Sequence, residues 1–247
     1  MYDINYHLNE LRQKLKFYKD IYRHYHAIKA HSLYREKQFC EVMIPKVIHY
    51  AWFGDNEKPD LVKRCMLTWR KLLPGYTFKC WNENNFPINN YQFSKEAFAK
   101  KKWVFVADVA RIHSLYYEGG IYLDTDIEIL KPFEERLLND DVFLSYETPN
   151  LISMGVVGSK KYNPWMGELL EWFNLVHCDA DYTEIASTRI NARITRLLYN
   201  IKLNGKEQIF GKNVHLYPRE YFNPDKRNGN YLITDQTFAI HHATKLW

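Results

Sequence analysis

The stretch Gly119-Gly120-Ile121-Tyr122-Leu123-Asp124-Thr125-Asp126-Ile127-Glu128-Ile129-Leu130 limits the folds open to this chain more than any other. An apolar, β-branched run carries two carboxylates two residues apart and then turns apolar again, which reads as a strand. Alternate strand side chains face one way, so Asp124 and Asp126 are expected on one side, closest where the strand ends or bends. Like charges so placed repel unless something positive lies between them. A hard divalent cation, Mn2+ or Mg2+, meets that need, because it prefers carboxylate oxygen and keeps positions open for phosphate oxygens. A solvated strand end with exposed acids is the plainer alternative, and the pair alone does not separate the two.

A chain of 247 residues accommodates one α/β domain with a small appendage and can bury a proper core. Its hydrophobic share of 46% and charged share of 26% are those of a soluble globular protein. The 19 tyrosines and 7 tryptophans suit stacking on flat rings or sugar faces, although a core absorbs aromatics equally well. A net charge of +5 fits nucleotide phosphates or an anionic membrane surface. It is too small for nucleic acid, and no dense basic run accompanies it. Cys40, Cys65, Cys80 and Cys178 are scattered without CxxC spacing, which argues against a disulfide framework or a zinc site and for a reducing compartment. Without a membrane-length apolar run or a signal-peptide core, the expected location is the cytoplasm.

Residues 1–38 stand apart. Ile4, Leu8, Leu11, Leu15, Tyr18, Tyr22 and Tyr25 recur at helical spacing, with Arg12, Lys14, Lys16, Lys19, Arg23 and Lys29 between them. Such a helix docks on the main domain, lies peripherally on an anionic membrane, or pairs with a second copy as an oligomer. The main domain opens at Ile44-Pro45-Lys46-Val47-Ile48-His49-Tyr50-Ala51-Trp52-Phe53-Gly54, read as the first strand. The pattern then predicts a helix over 59–73, a strand over 76–81 and a short helix over 94–101. A helix over 108–118, stopped by Gly119, leads into the acid pair. Asp108 and Arg111 share a face of that helix. Strands follow over 141–146, 152–158 and 214–217, with helices over 165–176 and 183–201. The terminal run Phe238–Trp247, with His241 and His242, reads as a frayed tail or as a source of a metal-ligating imidazole.

Taken together, Ile44…His49…Trp52-Phe53-Gly54, Ala107-Asp108-Val109-Ala110-Arg111, Gly119-Gly120-Ile121-Tyr122-Leu123-Asp124-Thr125-Asp126 and His241-His242…Trp247 resemble the DXD-motif glycosyltransferases of family 32. That family includes capsular-polysaccharide sugar transferases and fungal mannosyltransferases, and is related to the catalytic domains of clostridial glucosylating toxins. The resemblance covers 44–247 and leaves 1–43 as an N-terminal helical extension. It implies an α/β fold of the GT-A nucleotide-sugar-binding type, with a mixed central sheet flanked by helices. It also implies a retaining, Mn2+- or Mg2+-dependent transfer from a nucleotide sugar to a glycan acceptor in surface polysaccharide biosynthesis.

By the same resemblance, Asp124 and Asp126 hold the metal with His242, and Asp108 and Arg111 hold the donor. Tyr122 lies among the donor-binding residues, Trp52 stacks on the base, and Trp247 closes over the diphosphate. Relatives often carry Ser near that Trp; here Lys245 and Leu246 precede it, and Lys245 is expected to meet the diphosphate. A UDP-sugar is the favoured donor, with GDP-mannose as the alternative, and a lipid-linked acceptor at the inner membrane face fits a basic peripheral enzyme. A non-catalytic nucleotide-sugar-binding protein is the competing class. A glycosidase fits less well, because its two carboxyls flank the scissile bond rather than sharing one strand.

Overall fold

The computed structural model describes residues 4–36, 42–178 and 187–244. The order of the larger elements is α1 (Ile4–Glu36), β1 (Val47–Ala51), α2 (Asp60–Leu72), β2 (Thr77–Trp81), α3 (Gln92–Ala99), α4 (Trp103–Glu118), β3 (Gly120–Leu123), β4 (Ile127–Ile129), α5 (Glu135–Asn139), β5 (Val142–Thr148), β6 (Leu151–Ile152), β7 (Val156–Ser159), α6 (Pro164–Leu175), α7 (Ser187–Tyr199), β8 (Gln208–Phe210), β9 (Val214–Tyr217), β10 (Lys226–Arg227), β11 (Asn230–Tyr231) and β12 (Ala239–His241).

The central sheet runs β2-β1-β3-β7-β5-β9-β8, with β6 paired to β5. β2, β1 and β3 are parallel, β7 is antiparallel to both of its neighbours, and β5 and β9 are again parallel. This is the mixed sheet flanked by helices that the family resemblance implies, and it has two cores. On β3, Tyr122 joins one core while Ile121 and Leu123 join the other; on β5, Leu144 and Phe143 divide the same way. That alternation is the period-two pleat of a sheet covered on both faces. α3, α4 and α6 cover the first face, and α2 covers the second.

Two anchors fix the ends of the acid-bearing segment. Gly119 ends α4 at φ 67°, in the left-handed region that favours glycine, and its N–H bonds the Leu115 carbonyl at 3.1 Å. The fully buried His49 on β1 then donates from Nε2 to the Gly119 carbonyl at 2.8 Å and accepts from Trp81 Nε1 at 3.1 Å. That pair of bonds selects the neutral ring. Burial lowers the His49 pKa, against the opposing bond to Gly119. Beyond the acids, Trp69 of α2 donates from its indole to the Ile127 carbonyl at 2.6 Å, and Thr68 accepts from the Ile129 N–H at 2.9 Å.

Three expectations change. Asp124 and Asp126 do not sit on a continuous strand, for Asp124-Thr125-Asp126 is a turn between β3 and β4, closed by the Ile127 N–H to the Asp124 carbonyl at 3.0 Å. Residues 239–241 are no frayed tail, since β12 pairs antiparallel with β4, setting His241 opposite Ile127. On α1 the apolar stripe read from the sequence is not the docked face. Phe17, Ile21 and Ile28 are buried, whereas Leu8, Leu11, Leu15, Tyr18, Tyr22 and Tyr25 are exposed. Elsewhere, α4 begins five residues before the expected start, and the strand expected over 152–158 is broken at Ser153-Met154-Gly155. Residues 183–186 of the helix expected over 183–201 lie outside the described residues.

Candidate active site

A cavity of about 610 Å³ opens where β1, β3 and β5 end, within the size range of small-ligand sites. Asp108 and Arg111 reach it from α4, Tyr122 from the end of β3, Asp124 and Asp126 from the turn, and His241 from β12. Arg111 is the hub. Its Nη1 lies 3.0 Å from Asp108 Oδ1 and its Nη2 lies 2.7 Å from Asp124 Oδ1. The guanidinium also lies over the Tyr122 ring, 4.8 Å from its centroid. Burial works against the charge on Arg111, but Asp124, Tyr122 and Asp108 outweigh it and raise the pKa. Its buried Nε has no hydrogen-bond partner among the described residues, so the hub keeps an N–H for something else.

The acid turn is wired asymmetrically. Asp126 Oδ2 accepts from both the N–H and the hydroxyl of Thr244, each at 2.8 Å. Asp124 Oδ1 is taken by Arg111. The other two oxygens, Asp124 Oδ2 and Asp126 Oδ1, both face His241 Nε2, at 3.8 and 3.4 Å. On its far side His241 donates from Nδ1 to Asn223 Oδ1 at 3.2 Å. The Asn223 amide is in turn fixed by Ser145 and the Tyr146 carbonyl. Imidazole orientation set by such an outer partner is the arrangement found behind metal-bound histidines. Burial would raise the Asp126 pKa, yet hydrogen bonds from His241 and Thr244 and the charge of His241 hold it at about 2. Burial opposes protonation of His241, but the bond to Asp126 and the charges of Asp124, Asp126 and Glu147 raise its pKa.

Two carboxylates and an imidazole form a donor set suited to Mn2+ or Mg2+. Among the described residues no group of three or more His, Cys, Asp or Glu closes into a ready metal cage. A cation there would need further oxygens from phosphate or water, as such cations commonly have.

Several sequence expectations stand elsewhere. His242 turns away from the acid pair, with Nε2 3.0 Å from Glu128 Oε2 and Nδ1 facing the Tyr231 hydroxyl at 3.3 Å. β12 ends at His241, which faces the turn, and His242, the next residue along the chain, points to the other side. Trp52 is buried and donates to the Asn56 carbonyl at 2.8 Å; its neighbour Ala51, not Trp52, lines the cavity. Lys245 and Trp247 lie outside the described residues. The sequence reading missed Glu147, Thr244, Arg219 and Asn223, which come from loops and strand ends far apart in the chain. Only Gly155 carried a signal, as a small residue in an apolar run, and a Cβ there would lie 3.0 Å from the His241 ring and 3.1 Å from Asp124 Oδ2.

The fold is of the GT-A type, and its sequence likeness to known glycosyltransferases marks the chain as a glycosyltransferase. Residues 59–144, including α2, α4 and the acid turn, match the family described as "Glycosyltransferase sugar-binding region containing DXD motif". The chain is 28% identical over 216 residues to an uncharacterized glycosyltransferase of Acanthamoeba polyphaga mimivirus, covering 83% of this chain and 84% of that protein. It is 30% identical over 135 residues to inositol phosphoceramide mannosyltransferase 2 of Schizosaccharomyces pombe, covering 53% of this chain but only 39% of that one. In structure it is similar to the PaToxG glycosyltransferase, with a TM-score of 0.51 and 16% identity over 76% of this chain and 80% of that chain, a likeness of fold.

Proposed function

We propose that this chain moves a hexosyl group from a nucleotide sugar to a hydroxyl of a glycan acceptor, with retention at the anomeric carbon, in the building of a surface polysaccharide. The single observation that supports the reading best is the convergence of Arg111, Asp124, Asp126 and His241 on one cavity, with carboxylate oxygens and a buried N–H left over. Asp124 Oδ2, Asp126 Oδ1 and His241 Nε2 are the atoms that would hold Mn2+ or Mg2+, which when bound supplies positive charge against the diphosphate as the anomeric bond breaks.

The chain's own residues do the rest. Arg111 donates a charge-assisted hydrogen bond to a donor oxygen, and Asp108 keeps the guanidinium in place. Asn223 holds His241 at Nδ1 so that Nε2 stays turned to the acids. Glu147, on the same wall and without a hydrogen-bond or ion-pair partner among the described residues, is available to an acceptor hydroxyl. In a front-face route, the departing phosphate oxygen helps to take the acceptor proton.

A UDP-sugar is the first donor to try. The preference rests on base stacking by Trp52, whose indole is engaged with Asn56, so GDP-mannose is a close second reading, favoured by the mannosyltransferases among the relatives. The acceptor is taken as a lipid-linked glycan met at the inner face of a membrane by a cytoplasmic, peripheral enzyme. No helix among the described residues is long and apolar enough to cross a membrane.

Incubation with UDP- and GDP-sugars, with and without Mn2+, tests the reading. Metal-dependent release of nucleotide from one donor, faster with acceptor, is expected. Saturable binding without release would make the chain a nucleotide-sugar-binding protein instead, and full release in a chelator would remove the cation.

A further inference from the structure

The described side chains of α1 fall on three faces, one of which docks on the domain. Phe17, Ile21 and Ile28 are buried; Phe17 meets Trp172 of α6 with ring centroids 5.0 Å apart, and Arg193 of α7 lies over it at 5.5 Å. A turn of about 100° per residue carries Leu8, Leu11, Leu15, Tyr18, Tyr22 and Tyr25 onto a second stripe, roughly a third of the way round from the docked face. These six are 38–72% exposed. A lone exposed leucine is ordinary, but six large apolar side chains along ~25 Å of one helix form a patch that calls for a partner. Arg12, Lys16, Lys19 and Arg23 make the third stripe, bordering the apolar one on the side away from the docked face and forming a shallow groove with Leu15 and Asp20.

We propose that α1 lies in the plane of an anionic phospholipid surface. Its apolar stripe enters the boundary between head groups and acyl chains, and Arg12, Lys16, Lys19 and Arg23 lie against the head groups. Charge decides between a lipid surface and a second copy. From Leu8 to Tyr25 the sequence has five cations (Arg12, Lys14, Lys16, Lys19, Arg23) against two acids (Glu10, Asp20). Pairing two such helices sets like charge beside like. An anionic leaflet turns the same excess into attraction, about 1 kcal/mol for each Lys or Arg near the surface. Tyrosine makes up half of the stripe and suits the interface, with an apolar ring and a hydroxyl that stays wet. α7 links this helix to the catalytic cavity, since Arg193 contacts α1 and Thr188 on the same helix lines the cavity.

The test is sedimentation of the full chain with vesicles of phosphatidylcholine alone, or with about a third phosphatidylserine. Wild type, Leu15→Glu/Tyr22→Glu and Lys19→Glu/Arg23→Glu are compared, all four side chains being exposed. Circular dichroism and nucleotide release confirm that each variant is folded. Wild type is expected to pellet with the anionic vesicles only, more weakly at high salt, and each double variant to lose at least tenfold in affinity. Absence of wild-type binding to the anionic vesicles, or binding undiminished in Leu15→Glu/Tyr22→Glu, would overturn the proposal. So would a wild-type dimer that the same variant makes monomeric, which would assign the stripe to a second copy.

Discussion

Arg111 donates to Asp124 across 2.7 Å while holding Asp108 at 3.0 Å, so one guanidinium ties α4 to the acid turn. Two carboxylates are satisfied by one rigid fork that a lysine ammonium cannot reproduce. Arg111→Lys should fold, because a cation remains beside both acids, but donor turnover should fall at least tenfold. Arg111→Ala should in addition lose about 3–5 kcal/mol of stability, as two acids lose their partner in a mostly buried site. Denaturant melts and nucleotide-release rates check both, and an unimpaired Arg111→Lys would remove the fork from the mechanism.

The two terminal histidines should behave differently. His241 faces Asp124 and Asp126, whereas His242 pairs with Glu128. His241→Ala is therefore expected to raise the Mn2+ concentration needed for half-maximal activity by tenfold or more, in the range seen for lost ligands and their supports. His242→Ala should change it less than threefold. The reverse ranking would show that the resemblance located the ligand better than the strand register does.

Gly155 leaves the room that His241 and Asp124 occupy. A methyl group there would stand 3.0 Å from the imidazole and 3.1 Å from the carboxylate, closer than ordinary packing allows. Gly155→Ala should keep the fold, since the backbone there lies outside the left-handed region, and should weaken metal-dependent release several-fold. Wild-type kinetics from that variant would mean that the turn and β12 shift freely.

The hub and the acid turn were legible because their residues are close in sequence: Asp108, Arg111, Gly119 and the two acids fall within nineteen positions. Helical spacing and a Gly-Gly stop are enough to aim them together. His241 was not separable from His242, because only pairing of β12 with β4 decides which imidazole faces the turn. Glu147, Asn223 and Thr244 were invisible for the same reason, as each is brought to the site by contacts between segments far apart in the chain. On α1 the periodicity was right, and of the three uses open to the stripe the structure removes docking on the main domain. A sequence shows an apolar stripe but not which stripe the neighbouring helix covers, and here Phe17 and Trp172 settle that.

His113 supplies a pH dependence. It sits on α4 among Trp81, Phe86, Tyr91 and Tyr117, and its Nδ1 faces the Tyr91 hydroxyl at 2.6 Å. Burial lowers its pKa from 6.5 to about 4, so the fold holds the neutral ring. The unfolded chain then binds the proton first. Stability from this group is complete above about pH 6.5 and is lost as pH falls towards 4, by on the order of 2–3 kcal/mol. The difference in unfolding free energy between wild type and His113→Phe, measured from pH 7 to pH 4, should shrink or reverse by that amount. A difference independent of pH would mean that the ring is hydrated enough to titrate normally.

The most direct test of the central claim is nucleotide release from the preferred nucleotide sugar by wild type and Asp126→Asn, with Mn2+ or with a chelator. The side-chain amide keeps an oxygen and the shape of the turn but removes the charge that faces His241. Wild type should turn over with Mn2+ alone, and Asp126→Asn should fall by at least a hundredfold while remaining folded. Equal rates for the two proteins, or a wild-type rate untouched by the chelator, would contradict the account.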